Sequence, residues 1–117
     1  MSANIMLLHD DPKFIEGAAA ALRLAGHHVA TFVQPLDALN ALETEHFKLL
    51  ITRVRFPIGQ PNGVALARMA RIKRPSIKVV FTVAAENVEY TEGLGEAVTA
   101  PIDVSELIAT VARIASG

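Results

Sequence analysis

Short apolar runs alternate with longer amphipathic stretches five times within 117 residues, and this alternation restricts the fold more than any other feature. The runs are residues 4–8 (NIMLL), 28–33 (HVATFV), 47–52 (FKLLIT), 77–83 (IKVVFTV) and 97–100 (AVTA). Each is too short for a buried helix, and several are rich in β-branched and aromatic residues, so they read as strands. The third lacks strict alternation of polar and apolar residues, which predicts burial on both faces.

The intervening stretches carry helix signals. Asp11 can cap free amides and Pro12 suits a first helical turn. Phe14, Ile15, Ala18, Leu22 and Ala25 then recur at helical spacing until Gly26. Pro35 opens a second helix with Leu36, Leu39 and Leu42 on one face. Residues 64–73 form a third, ended by Pro75, and residues 85–93 a weaker fourth, ended by Gly93. Asp103 caps a fifth, whose apolar stripe is Val104, Leu107, Ile108, Val111 and Ile114. The loop before the third helix is rich in turn formers: Pro57, Gly59, Pro61, Asn62 and Gly63. Strands alternating with helices imply a parallel sheet covered on both faces. The expectation is an α/β, doubly wound, five-stranded sheet in a single domain over residues 1–117, since five strand–helix pairs leave no room for a second.

Composition removes several classes of function. There is no cysteine, which excludes disulfides, thiolate metal sites and cysteine nucleophiles and suits a reducing cytosol. No apolar run approaches the roughly 20 residues needed to cross a bilayer. The opening MSANIMLLHDDP lacks the basic segment of a signal peptide, so a cytoplasmic, membrane-free protein is expected. No glycine-rich phosphate loop and no GxSxG elbow occurs. Net charge is −1 but unevenly spread: residues 46–85 hold eight Lys or Arg and no acid, and the remainder holds twelve acids and three bases.

In an open parallel sheet, ligands sit beyond the carboxyl ends of the strands. The residues expected there are His9, Asp10 and Asp11, then Gln34, then residues 53–57, then 82–85, then Ala100 and Pro101. The segments LLHDDP, LLITRVRFPIGQPNG and AVTAPIDVSELI, in that order along the whole chain, resemble the receiver domain of two-component response regulators. That resemblance implies strand order 2-1-3-4-5 and a phosphorelay signalling role. It also implies chemistry built on an acceptor Asp, a carboxylate-held Mg²⁺, and a Lys and a Thr or Ser that bind the phosphoryl group.

The departures from that pattern fall on the chemistry. Arg53 stands at the acceptor position, His9 at the first metal carboxylate, and Ala100 at the Lys. Val83 stands at the Thr/Ser position, or Thr82 if the register slips by one residue. Asp10 matches the second metal carboxylate, so Asp10 and Asp11 remain as vestigial ligands. A guanidinium stays protonated, has no lone pair to attack with, and repels a nearby cation. Mg²⁺ prefers several hard oxygen ligands. A degenerate pocket of His9, Asp10, Asp11, Arg53, Thr82, Val83 and Ala100 is therefore expected, with no metal, no cofactor and no enzymatic activity. Arg53 is expected to pair with Asp10 or Asp11 as an internal counter-ion.

The protein then acts through contacts with a protein partner or output domain. The resemblance places a partner or homodimer surface on strands 4 and 5 and the last helix, with Val104, Leu107, Ile108 and Val111 as candidates, although such a stripe is more often plain core with only its edge left for an interface. The alternative is an anion- or nucleic-acid-binding module using the basic stretch from Arg68 to Lys78. Nucleic acid is the weaker expectation, because aromatics are scarce at 5% and the acidic segment with Glu86, Glu89 and Glu92 should lie beside the basic helix. The four histidines, His9, His27, His28 and His46, have no metal-ligand spacing. His9, beside Asp10, is the one that could confer pH sensitivity near neutrality.

Overall fold

A computed structural model describes residues 3–56 and 62–116. The chain alternates strand and helix throughout. The elements are β1 (Asn4–Leu8), α1 (Pro12–Leu24), β2 (His28–Phe32), α2 (Pro35–Thr44), β3 (Leu49–Arg53) and α3 (Gly63–Lys73). They continue with β4 (Lys78–Val83), a 3-10 helix (Ala85–Thr91), β5 (Glu96–Thr99) and α4 (Val104–Ala115). The five strands pair in parallel, in the order β2-β1-β3-β4-β5. Pro57, Gly59 and Pro61, read from sequence as turn formers, lie outside the described residues.

The central strands are apolar on both faces because each face meets its own helical layer. Met6, Leu8, Leu50, Val79, Phe81 and Val83 face a core shared with α2 and α3. Ile5, Leu7, Leu49, Ile51, Val80 and Val98 face the other, shared with α1 and α4. The helix ends follow the sequence signals: the Asp11 and Asp103 carboxylates accept from the amides of Lys13 and Ser105, as helix caps do. Gly26 lies just after α1 at φ 97°, where glycine meets no steric penalty.

Two elements depart from expectation. Residues 85–91 form a 3-10 turn instead of an α-helix. No side chain caps the segment, and the Thr91 hydroxyl bonds back to the Val88 carbonyl at 2.7 Å, competing with the backbone pattern of an α-helix. The last helix gives two of its four candidate interface residues to the core. Leu107 and Val111 are fully buried in the core on the α1 side. A stripe this strongly apolar is largely consumed by the fold, leaving Val104, Ile108 and Ile114 partly exposed.

Candidate functional site at the carboxyl ends of the strands

β1 and β3 are adjacent and in register, with Leu8 opposite Thr52. His9 to Asp11, just beyond β1, and Arg53, the last residue of β3, therefore emerge side by side. The Arg53 Nη1 donates to Asp10 Oδ1 at 2.5 Å. Both side chains are partly buried, 39% and 28% exposed. Burial alone would raise the Asp10 carboxyl, but the hydrogen bond from Arg53 and its charge outweigh that, and the net shift is downward.

Arg53 is held from behind by α3. The Gly63 amide donates to the Val54 carbonyl at 2.7 Å. A Cβ on Gly63 would lie 1.6 Å from the Arg53 carbonyl oxygen. The asparagine before it caps α3, its Oδ1 accepting from the Ala65 amide at 2.8 Å. Sequence reading placed Gly63 in a loop. Its role in letting α3 press against the end of β3 depends on a backbone approach from Arg53, ten residues earlier, and no local pattern carries that.

His9 and Asp11 are turned to structural work. The His9 Nδ1 accepts from the Asp11 amide at 3.0 Å, so that nitrogen carries no proton and the neutral ring holds its proton on Nε2. The ring stacks on Phe14 at a centroid distance of 4.3 Å. Burial first, and then the charge of Arg53, lower its pKa from 6.5 to about 4, against the opposing pull of Asp10 and Asp11. Between pH 6.5 and 4 the unfolded chain thus binds a proton that the folded chain refuses. Stability is full above pH 6.5 and falls as the pH drops toward 4. The expected loss is about 1–2 kcal/mol once solvent screening at the edge of the site is allowed for. Denaturant midpoints measured across this range check it: His9→Gln should flatten the slope, and an unchanged slope would contradict the assignment.

Thr82 is the in-register neighbour of Arg53. It is 5% exposed, and its hydroxyl has no hydrogen-bond partner among the described residues. Val83 packs on the other face, in the core under α2 and α3. An open cavity of about 330 Å³ beside the ion pair is lined by Arg53, Arg55, Thr82, Val83, Glu86 and Asn87. Arg55 falls among residues 53–57, expected at the strand ends, whereas Asn87 was not singled out from sequence. They meet there at 3.5 Å through a bend after β3 and the first turn of the 3-10 helix. Ala100 lies beside the end of β4, its amide donating to the Val83 carbonyl at 2.8 Å, and its methyl group can supply no charge. Among the described residues, no three His, Asp or Glu side chains gather closely enough to hold a metal ion.

The basic stretch is spread over several tasks. Arg71 donates to the carbonyls of Ile77 and Leu94. Lys73 pairs with Glu43 on α2, and Lys48 caps the carbonyl of Ala115 at 2.6 Å. Arg55 and Arg68 share a cavity with Glu89 and Glu92. The acidic segment thus lies near the basic helix, as its charge pattern suggests, but the ion pair of α3 is made with α2. No helix among the described residues is long and apolar enough to cross a membrane.

No protein-family model matches the chain. The response regulator receiver protein CpdR of Brucella abortus is 35% identical over 78 residues, 67% of this chain and 63% of the relative. The response regulator protein PmrA of Pseudomonas aeruginosa is 30% identical over 113 residues, 92% of this chain and 50% of the relative. The chain thus spans less than two thirds of either relative. Among solved structures, the BeF3-activated receiver domain of DrrB superposes with a TM-score of 0.85 and 26% identity, each chain covered completely. Relatives and structural neighbours support one class: the receiver domain of two-component response regulators, with its flavodoxin-like sheet order.

Proposed function

We propose that this chain is a pseudo-receiver: a cytoplasmic signalling module that works by protein–protein contact and not by aspartyl phosphorylation. The observation that carries this is the Arg53 guanidinium seated on the Asp10 carboxylate at 2.5 Å, at the carboxyl ends of the central strands. The resemblance puts the acceptor Asp at Arg53 and a metal carboxylate at Asp10. A guanidinium is no nucleophile, and its charge satisfies the carboxylate that Mg²⁺ would need. The remaining donors fit the ion no better. The His9 Nδ1 is committed to the Asp11 amide and the Asp11 carboxylate to the Lys13 amide. The residues present do not fit a Mg²⁺ site, and no phosphoryl step is assigned to them.

In this reading Arg53 is a resident counter-ion that holds the ends of β1 and β3 in one arrangement. Signalling then requires a binding partner or an attached output domain, and no catalytic residue. Incubating the protein with Mg²⁺ and a small phosphodonor such as acetyl phosphate, followed by intact-mass analysis, tests the proposal. No phosphoryl adduct is expected, and an acid-stable, hydroxylamine-labile adduct would overturn it.

A further inference from the structure

The cavity beside the ion pair is bordered by two unpaired charges of opposite sign. Arg55 comes from the segment that leaves β3, and Glu86 from the first turn of the 3-10 helix, with the end of β4 between them. Both side chains are exposed, and among the described residues neither forms an ion pair. They border one cavity without coming within ion-pair distance of each other. The contact from Arg55 Nη2 to Asn87 Oδ1 is 3.5 Å, too long for a firm hydrogen bond. Arg53 lines the cavity too, but Asp10 balances its charge.

Thr82 adds a third group. It is 5% exposed, and its hydroxyl has no hydrogen-bond partner among the described residues. A buried hydroxyl ordinarily has one, and a ligand oxygen held in this cavity would supply it. Val54 and Val83 contribute apolar surface to the same lining. The volume of about 330 Å³ lies at the small end of the roughly 300–1,000 Å³ of small-molecule sites.

These features select the charge pattern of the ligand. A simple anion gains from Arg55 but meets Glu86, and a simple cation meets the reverse. A molecule carrying both charges a few bonds apart satisfies the two together. We infer that this cavity binds a free α-amino acid with a small apolar side chain, reversibly and without covalent chemistry. The ligand carboxylate takes Arg55 and the Thr82 hydroxyl, its ammonium takes Glu86 and the Asn87 side-chain oxygen, and its side chain meets the two valines. Solvent screens both charged anchors, so the affinity is modest, on the order of millimolar. The inference goes beyond the pseudo-receiver reading and uses it in one respect, the balance of Arg53 by Asp10. Its failure would leave that reading standing, because phosphoryl adducts are measured separately.

Amide NMR titration of the ¹⁵N-labelled full chain with L-valine, at constant pH and ionic strength, tests it. The expected result is saturable shifts clustered around Arg55, Thr82 and Asn87. Two analogues divide the ligand: 3-methylbutanoate lacks the ammonium and isobutylamine lacks the carboxylate, and neither should produce those shifts at the same concentrations. Arg55→Gln and Glu86→Gln should each weaken valine binding about fivefold. Both positions are exposed, so the variants should keep the circular dichroism spectrum of the parent. Glu89→Gln removes a like charge outside this cavity and should leave binding unaltered. Absence of saturable shifts, shifts centred elsewhere, equal binding of either analogue, or valine binding that tolerates Arg55→Gln or Glu86→Gln would overturn the inference.

Discussion

Gly63→Ala is expected to lose about 4 kcal/mol or more of stability, a large part of what a domain of this size possesses. The added methyl group would sit 1.6 Å from the Arg53 carbonyl oxygen and 3.1 Å from the Val54 Cα. Those atoms are backbone, so no side chain can swing aside. Either α3 lifts from the end of β3, breaking the 2.7 Å bond from the Gly63 amide to Val54, or the Arg53 backbone moves and takes the ion pair with it. Gly17, inside α1, is the contrasting case. Nothing lies within 4 Å of a Cβ there, so Gly17→Ala should stabilise the protein by up to about 1 kcal/mol through helix propensity. Urea unfolding of both variants reads the difference. A Gly63→Ala protein with the parental midpoint would contradict the packing described for α3.

Arg53→Ala is expected to change two titrations at once. Asp10 loses the hydrogen bond and charge that hold its carboxyl below the ordinary range, so its pKa should rise. His9 loses the nearby cation, so its pKa should climb from about 4 toward 6.5. Burial, the larger cause of the His9 shift, remains, and the recovery should be partial. The variant should lose about 1–2 kcal/mol, because the pair is only partly buried and solvent screens it. Its acid sensitivity between pH 4 and 6.5 should shrink, since folded and unfolded His9 then differ less in proton affinity. NMR titration of the His9 ring and the Asp10 carboxyl checks this. Unchanged stability together with unchanged Asp10 signals would remove Arg53 from its role as counter-ion.

Much of the fold was legible because its signals are local. Asp11-Pro12 and Asp103 mark helix starts that the structure realises, and the apolar runs predict strands to within two residues. The register at the end of β4 was not legible. Whether Thr82 or Val83 lies beside Arg53 depends on strand pairing, and a one-residue slip exchanges the two faces. The fate of Leu107 and Val111 was hidden for a related reason: an apolar stripe looks alike whether it meets the core or a partner. At the site, adjacency of β1 and β3 brings Arg53 to Asp10 across 43 residues, and sequence could narrow its partner only to Asp10 or Asp11. The stacking of Phe14 on His9 had a faint signal, an aromatic residue in the first turn of α1.

The most direct test of the central claim is an NMR titration of the ¹⁵N-labelled protein with Mg²⁺ and then with Mg²⁺ plus beryllofluoride, which mimics an aspartyl phosphate. With Arg53 seated on Asp10, neither addition should shift the amide signals around Asp10, Arg53 and Thr82. Saturable shifts clustered at those residues would mean that a working acidic pocket survives, and would contradict the assignment of Arg53 as the residue that disables it.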